Sequence, residues 1–172
     1  MVPTLITTSG PGDLFQLRNI GNVVPPDNTE TGGHPSVGAA IEFAIGSLGI
    51  ESIVVCGHSS CGAMQSLLDS PDLSGTPNLA AWLSHAKGSV TRYQTQDIWN
   101  GGIAAVDQLA LINVVQQLDN LRTYSIVAEA ERTERVSLVG MYFDIENAQV
   151  YLYDAEKRHF VQATDPTRVL VA

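Results

Sequence analysis

His58 and Cys61 are the two residues in this 172-residue chain whose types and spacing point most directly to chemistry. They lie in the run Val54-Val55-Cys56-Gly57-His58-Ser59-Ser60-Cys61-Gly62-Ala63-Met64. An apolar strand ends at Gly57, and both residues fall in the turn toward a following helix. An imidazole nitrogen and a thiolate three residues apart can reach one zinc ion at about 2.0–2.3 Å. A helix opening at Cys61 favours the thiolate, the form that binds metal. In open α/β sheets, ligands gather at this carboxyl end of the strands. The spacing also fits a hydrogen-bonded histidine beside a structural cysteine. Zinc needs three or four protein ligands, so the pair alone leaves both readings open.

Other chemistry-bearing residues rank below this pair. Cys56 lies inside the strand and reads as core packing. A disulfide from Cys56 to Cys61 would close a very short loop, and a reducing compartment disfavours it further. His34 stands in a loop, where it reads as a solvent-exposed histidine or as a donor for a vacant ligand position. His85 and His159 read as surface residues. Asp13 and Arg18, at i and i+5 on a strand, would point to opposite faces and form no acid/base dyad. Phe15, Trp82, Tyr93 and Trp99 read as packing or dimer contacts rather than an aromatic ligand box.

The elements that position the pair follow from pattern. Residues 14–18, Leu-Phe-Gln-Leu-Arg between turn residues, read as a strand. A loop rich in Pro, Gly, Asn and Thr spans residues 23–35. Ser36 reads as a helix N-cap. After it, Val37, Ala40, Ile41, Ala44, Ile45 and Leu48 form one apolar helical face, with Gly49 as the stop. Residues 52–56 are a continuous β-branched run without alternation, expected in a parallel sheet. Residues 14–56 thus read as a right-handed strand–helix–strand crossover. Further helices are expected from Cys61 to Leu68, over 79–87, over 103–121 and over 124–132. Strands are expected over 136–145 and 149–154, joined by a hairpin turn at Glu146-Asn147-Ala148.

Length suits one domain over residues 1–172. Apolar residues are 44% and charged residues 16%, an ordinary balance for a folded protein. The net charge of −9 repels phosphate, so nucleic acid is not an expected partner. No apolar run approaches the roughly 18 residues that span a bilayer, and no signal peptide is evident. The expected address is cytoplasmic.

The longer strings resemble the β-class carbonic anhydrases, a family of zinc enzymes. Asp13-Leu14-Phe15 and Arg18-Asn19-Ile20-Gly21-Asn22 are similar to one family segment, and residues 36–48 to the helix after it. The run from Val55 to Met64 resembles the family's second zinc motif. Residues 113–122 resemble a long helix, and residues 140–145 with 150–154 a C-terminal hairpin. The resemblance covers essentially the whole chain. It implies an α/β fold with a mostly parallel central sheet, flanking helices and a C-terminal antiparallel hairpin. It implies zinc as cofactor with His58 and Cys61 as ligands, carbon dioxide and bicarbonate as substrates, and a homodimer or dimer of dimers.

The family's first zinc motif, Cys-x-Asp-x-Arg, occurs nowhere in the 172 residues. The comparison therefore implies a chain shortened at its N-terminus, without the central first strand. The expected activity is hydration of carbon dioxide in a complete protein, with this chain inactive or weak. The alternatives are a non-catalytic assembly module, or a zinc hydrolase of carbonyl sulfide or carbon disulfide. A missing strand leaves a slot between residues 14–18 and 52–56. Three outcomes are open: the flanking strands close up, residues 1–8 fold into the slot, or a neighbouring chain supplies a strand.

Overall fold

The computed structural model describes residues 2–27, 34–95 and 102–163. Its helices are α1 (Pro3–Ile6), α2 (Pro35–Gly46), α3 (Gly62–Asp69), α4 (Pro77–Ser84), α5 (Lys87–Thr95), α6 (Ala105–Leu121) and α7 (Ser125–Arg132). Its strands are β1 (Ser52–His58), β2 (Ser137–Asp144), β3 (Gln149–Asp154) and β4 (His159–Gln162). A 3-10 turn covers Ile20–Asn22. Trp99 and part of the 23–35 loop lie outside the described residues. No described helix is long and apolar enough to cross a membrane.

The sheet is mixed, in the order β1-β2-β3-β4. β1 runs parallel to β2, from Ser52 opposite Ser137 to His58 opposite Phe143. β2–β3 and β3–β4 are antiparallel hairpins. The class is the expected α/β with flanking helices and a C-terminal hairpin. One pair of three is parallel, because β2 is followed by two tight turns rather than by crossover helices. β4 extends the hairpin beyond what the sequence pattern indicated.

The N-terminal part departs from expectation. Residues 14–18 form no strand among the described elements, and Phe15 and Leu17 remain 50% and 45% exposed. A strand exists through its partner's hydrogen bonds, and no sheet edge reaches this segment. The strand–helix–strand crossover is therefore reduced to α2 followed by β1. Residues 3–6 coil into one helical turn, so the N-terminus does not fill the slot as a strand. α2 is capped at His34 rather than Ser36, with Pro35 at the first position. Proline suits that place because its fixed φ is helical and its missing N–H would have no partner. α5 was invisible to the pattern: only two apolar residues, Val90 and Tyr93, interrupt its polar run.

The core lies between the sheet and α6. Leu109, Leu111, Val114, Val115, Leu118 and Leu121 of this helix are almost fully buried. Burial of each such side chain contributes roughly 1.5–3 kcal/mol. The approach of α6 depends on two glycines. A Cβ on Gly57 would stand 2.7 Å from Val114 Cγ2, and one on Gly140 would stand 3.1 Å from Val114 Cγ1. Gly57 immediately precedes His58, so the helix that builds the core also fixes the strand end at the site.

A polar ladder ties the N-terminal loop to the same helix. Asn113, Gln117 and Asn120 are buried along α6. Asn113 Nδ2 donates to Gly21 O at 2.9 Å, and Asn120 Nδ2 donates to Val24 O at 2.8 Å. Gln117 Oε1 accepts Val24 N–H at 2.8 Å. Ser89 on α5 donates to Asn113 Oδ1 at 2.8 Å. These partners satisfy polar groups that would cost roughly 1–3 kcal/mol each if buried alone.

Candidate metal centre

β1 delivers His58 at its last position, and Cys61 is the N-cap of α3. Ser59 and Ser60 make the turn between them. Ser60 has φ +54°, in the left-handed region. For a residue with a Cβ that conformation costs roughly 1–2 kcal/mol, so contacts around the turn must hold it.

Four contacts do so. Ser59 N–H donates to Phe143 O at 3.0 Å, continuing the β1–β2 ladder past the strand end. Ser59 Oγ accepts Ile145 N–H at 2.9 Å. Ser60 N–H donates to Asp107 Oδ1 at 2.7 Å. His58 Nδ1 lies 2.8 Å from Ser59 O, which places the ring proton on Nδ1. That leaves Nε2 as the ring nitrogen open to another partner.

Each of the two side chains shifts the titration of the other. A hydrogen bond shared with Cys61 raises the His58 pKa above its ordinary value, against the effect of burial. Burial pushes the Cys61 thiol up. The hydrogen bond from His58 and the backbone N–H groups of Met64 and Ala63 outweigh it, so the thiol sits below its usual range. The opening turn of α3 thus stabilises a thiolate next to an imidazole. Cys61 itself is only 5% exposed.

Nitrogen and sulfur donors side by side suit zinc in chemistry. Among the described residues, however, no group of three or more His, Cys, Asp or Glu side chains could hold a metal ion. The other sequence candidates are elsewhere. His34 is exposed and lies edge-on to Trp82, with ring centroids 5.3 Å apart. His85 meets the same indole at 5.9 Å and is half-buried rather than a free surface residue. His159 is half-buried too, with Nδ1 3.3 Å from Lys157 O. Asp13 accepts Gly10 N–H at 2.7 Å. Cys56 makes a long contact from Sγ to Gly57 O at 3.5 Å, and burial raises its thiol to about 12. Phe15 packs against Phe43 at 5.9 Å. Trp82 and Tyr93 pack against the core.

Sequence reasoning missed Asp107 and Tyr142. They come from the start of α6 and from β2, and with Ser59 and Ser60 they line a cavity of ≈ 350 Å³ behind the turn. Burial raises the Tyr142 pKa, and neighbouring Asp107 raises it further. Asp107, in the first turn of α6, looks in sequence like an ordinary helix-start carboxylate. Nothing local ties it to Ser60, 47 positions earlier.

Comparison with known proteins gives a consistent set of matches. The sequence profile of the carbonic anhydrase family matches residues 1–150. A carbonic anhydrase of Pseudomonas aeruginosa is 38% identical over 169 residues, covering 98% of this chain and 75% of that protein. One from Synechococcus elongatus is 39% identical over 156 residues, covering 86% of this chain and 54% of that protein. The chain therefore spans about half the length of the cyanobacterial relative. Among solved structures, the β-carbonic anhydrase CcaA superposes with a TM-score of 0.85 at 35% identity, covering 95% of this chain and 78% of that one.

Proposed function

The chain belongs to the carbonic anhydrase family, in its β class, and from that premise we propose that His58 and Cys61 bind zinc in a site for carbon dioxide and bicarbonate. The observation that carries this reading is the placement of both residues on one short turn, His58 at the end of β1 and Cys61 at the N-cap of α3. Zinc, when bound, supplies Lewis acidity, which makes hydroxide available for carbon dioxide hydration near neutral pH.

The chain's own residues account for the donors. The Ser59 carbonyl accepts a hydrogen bond from Nδ1–H, which orients the ring and leaves Nε2 as the nitrogen for a metal. This is the outer-shell arrangement that orients ligating histidines. The N–H groups of Ala63 and Met64 support the thiolate. The pair would supply two of the three or four protein ligands that zinc takes.

With two protein ligands among the described residues, the 172-residue chain by itself is expected to hold zinc weakly and to hydrate carbon dioxide slowly or not at all. A stopped-flow assay tests this. The expected rate is at background, and an N-terminal extension carrying Cys-x-Asp-x-Arg is expected to restore it. A fast rate from the chain alone overturns the claim that a third motif is needed. No rate from the extended protein favours a second reading, a non-catalytic assembly module. The two-ligand set among the described residues speaks for that reading.

The proposal includes self-association. Phe15, Leu17, Ile20 and Phe43 are exposed apolar side chains in the N-terminal third of the chain. Burying them between copies would remove apolar surface from water.

A further inference from the structure

β1 ends the sheet, and the backbone groups on its open side are complementary to those of a second copy of itself. Glu51 O accepts Ser137 N–H, and Ser59 N–H donates to Phe143 O, so the odd-numbered positions of β1 bond β2. The N–H and C=O groups of Ser52, Val54, Cys56 and His58 point the other way, and no other described strand pairs with them. These residues lie symmetrically about Val55 in the strand Ser52–His58. Two copies of β1 set antiparallel about Val55 place Ser52 opposite His58 and Val54 opposite Cys56. Each outward residue then faces another outward residue, as the hydrogen-bonded pairs of an antiparallel ladder require. Val55 meets its own counterpart on the twofold axis, as a non-hydrogen-bonded pair. In a parallel pair the bonded residues are staggered by one position, so no exact twofold relates two copies.

The side chains allow this approach. β1 carries no charged residue, and Glu51 just before it would stand opposite the neutral Ser59 of the copy. Two chains of net charge −9 therefore meet along this edge without like charges opposed, which would be destabilising. The cross-strand pairs include Val55 with Val55, Val54 with Cys56 and Ile53 with Gly57, apolar or small throughout. A second feature lies beside the strand. Asn22 Nδ2 is buried with no hydrogen-bond partner among the described residues, and its turn, Ile20–Asn22, lies against β1 and α3. A strand added along β1 brings backbone carbonyls to this region, the acceptors that such a donor lacks.

We propose that β1 is a self-recognition edge, at which two copies of the chain pair antiparallel about Val55 and join their two four-stranded sheets into one. This rests on the self-association proposed above, assigns it a surface other than Phe15, Leu17, Ile20 and Phe43, and needs no metal.

The test is oxidative cross-linking of the full chain in the Cys56→Ala background. Val55→Cys sets two thiols directly opposite, with Cα atoms about 4.5 Å apart, within disulfide reach. Ile53→Cys sets its two Cα atoms about 14 Å apart, four residues of rise along the strand and beyond that reach. Covalent dimer from Val55→Cys is therefore expected to exceed that from Ile53→Cys by about tenfold or more. Equal or reversed yields overturn the proposal. Hydrogen exchange of the unsubstituted chain needs no variant. Raising the protein concentration is expected to slow the amides of Ser52, Val54, Cys56 and His58 several-fold, with the β2-bonded amides of Ile53, Val55 and Gly57 as the internal reference. If the cysteine variants do not fold, this measurement decides: selective slowing supports the pairing, and no change overturns it. A dimer whose outward amides stay fast associates through another surface, which overturns this pairing and leaves self-association standing. A monomer at every concentration overturns both.

Discussion

His58 Nδ1 lies 2.8 Å from the carbonyl of Ser59, the next residue in the turn that leads to Cys61. The carbonyl holds the Nδ1 proton, so Nε2 is the nitrogen that could bind metal. His58→Ala and Cys61→Ser are each expected to abolish zinc binding. In the unsubstituted chain, zinc is expected at well below one per chain after gel filtration, and a chelator should remove it. Elemental analysis measures both. Full, chelator-resistant occupancy would show that another residue completes the site.

Cys56 is the control for this pair. It is five residues from Cys61, yet its thiol is raised to about 12 by burial and that of Cys61 is lowered. Near neutral pH it is therefore expected to stay protonated and unreactive, because the thiolate is the nucleophile and the metal ligand. Cys56→Ala should leave zinc affinity unchanged. An affinity drop of tenfold or more would place Cys56 in the site.

β1 stands at the end of the sheet order, and its outer edge has no strand partner among the described residues. Ser137 N–H bonds Glu51 O, and Ser59 N–H bonds Phe143 O. By alternation, the backbone groups of Ser52, Val54, Cys56 and His58 point away from β2. The β1 sequence has no Lys, Pro or acidic residue to guard this edge, whereas β4 at the far edge is short and follows Lys157 and Arg158. Unguarded edges are templates for association. The expected outcome is a mass above monomer in light scattering and a melting temperature that rises with protein concentration. A monomer with a concentration-independent, high-temperature melt would sink this expectation.

Tyr124 joins the N-terminal loop to the α6–α7 junction, donating to Pro25 O at 2.7 Å. Burial raises its pKa to about 12, with a further push from Asp27. A group whose folded pKa is raised stabilises the fold below its unfolded pKa, near 10 for tyrosine. That stabilisation is lost as pH rises from there through about 12. Tyr124→Phe is expected to cost about 1 kcal/mol at neutral pH, the typical net worth of one hydrogen bond. It should also remove part of the alkaline destabilisation. Denaturant melts of both proteins at pH 7 and 11 compare the two slopes, and identical alkaline losses would refute the assignment.

Much of this protein was legible in its residues. The apolar face from Val37 to Ile45, the β-branched run into Cys56 and the long apolar stripe of α6 each carry a local period that only one element satisfies. The turn between Gly57 and Gly62 announced the pair His58 and Cys61, because strand end, ligand types and helix start all lie within a few residues. Residues 14–18 carry the composition of a strand but become one only where another strand's N–H and C=O groups meet them, and none of the described strands does. Ser36 has the chemistry of an N-cap, yet Pro35 takes the first helical position and moves the boundary back. Asp107, Tyr142 and the polar ladder of Asn113, Gln117 and Asn120 were silent in sequence. Their partners lie far along the chain, and a side chain's role in a site depends on what the packing of α6 against β1 and β2 brings within about 3 Å, the reach of a hydrogen bond. Local pattern decides which element a segment prefers. Tertiary packing decides which polar groups find partners, because that distance requirement is met only after the core has closed.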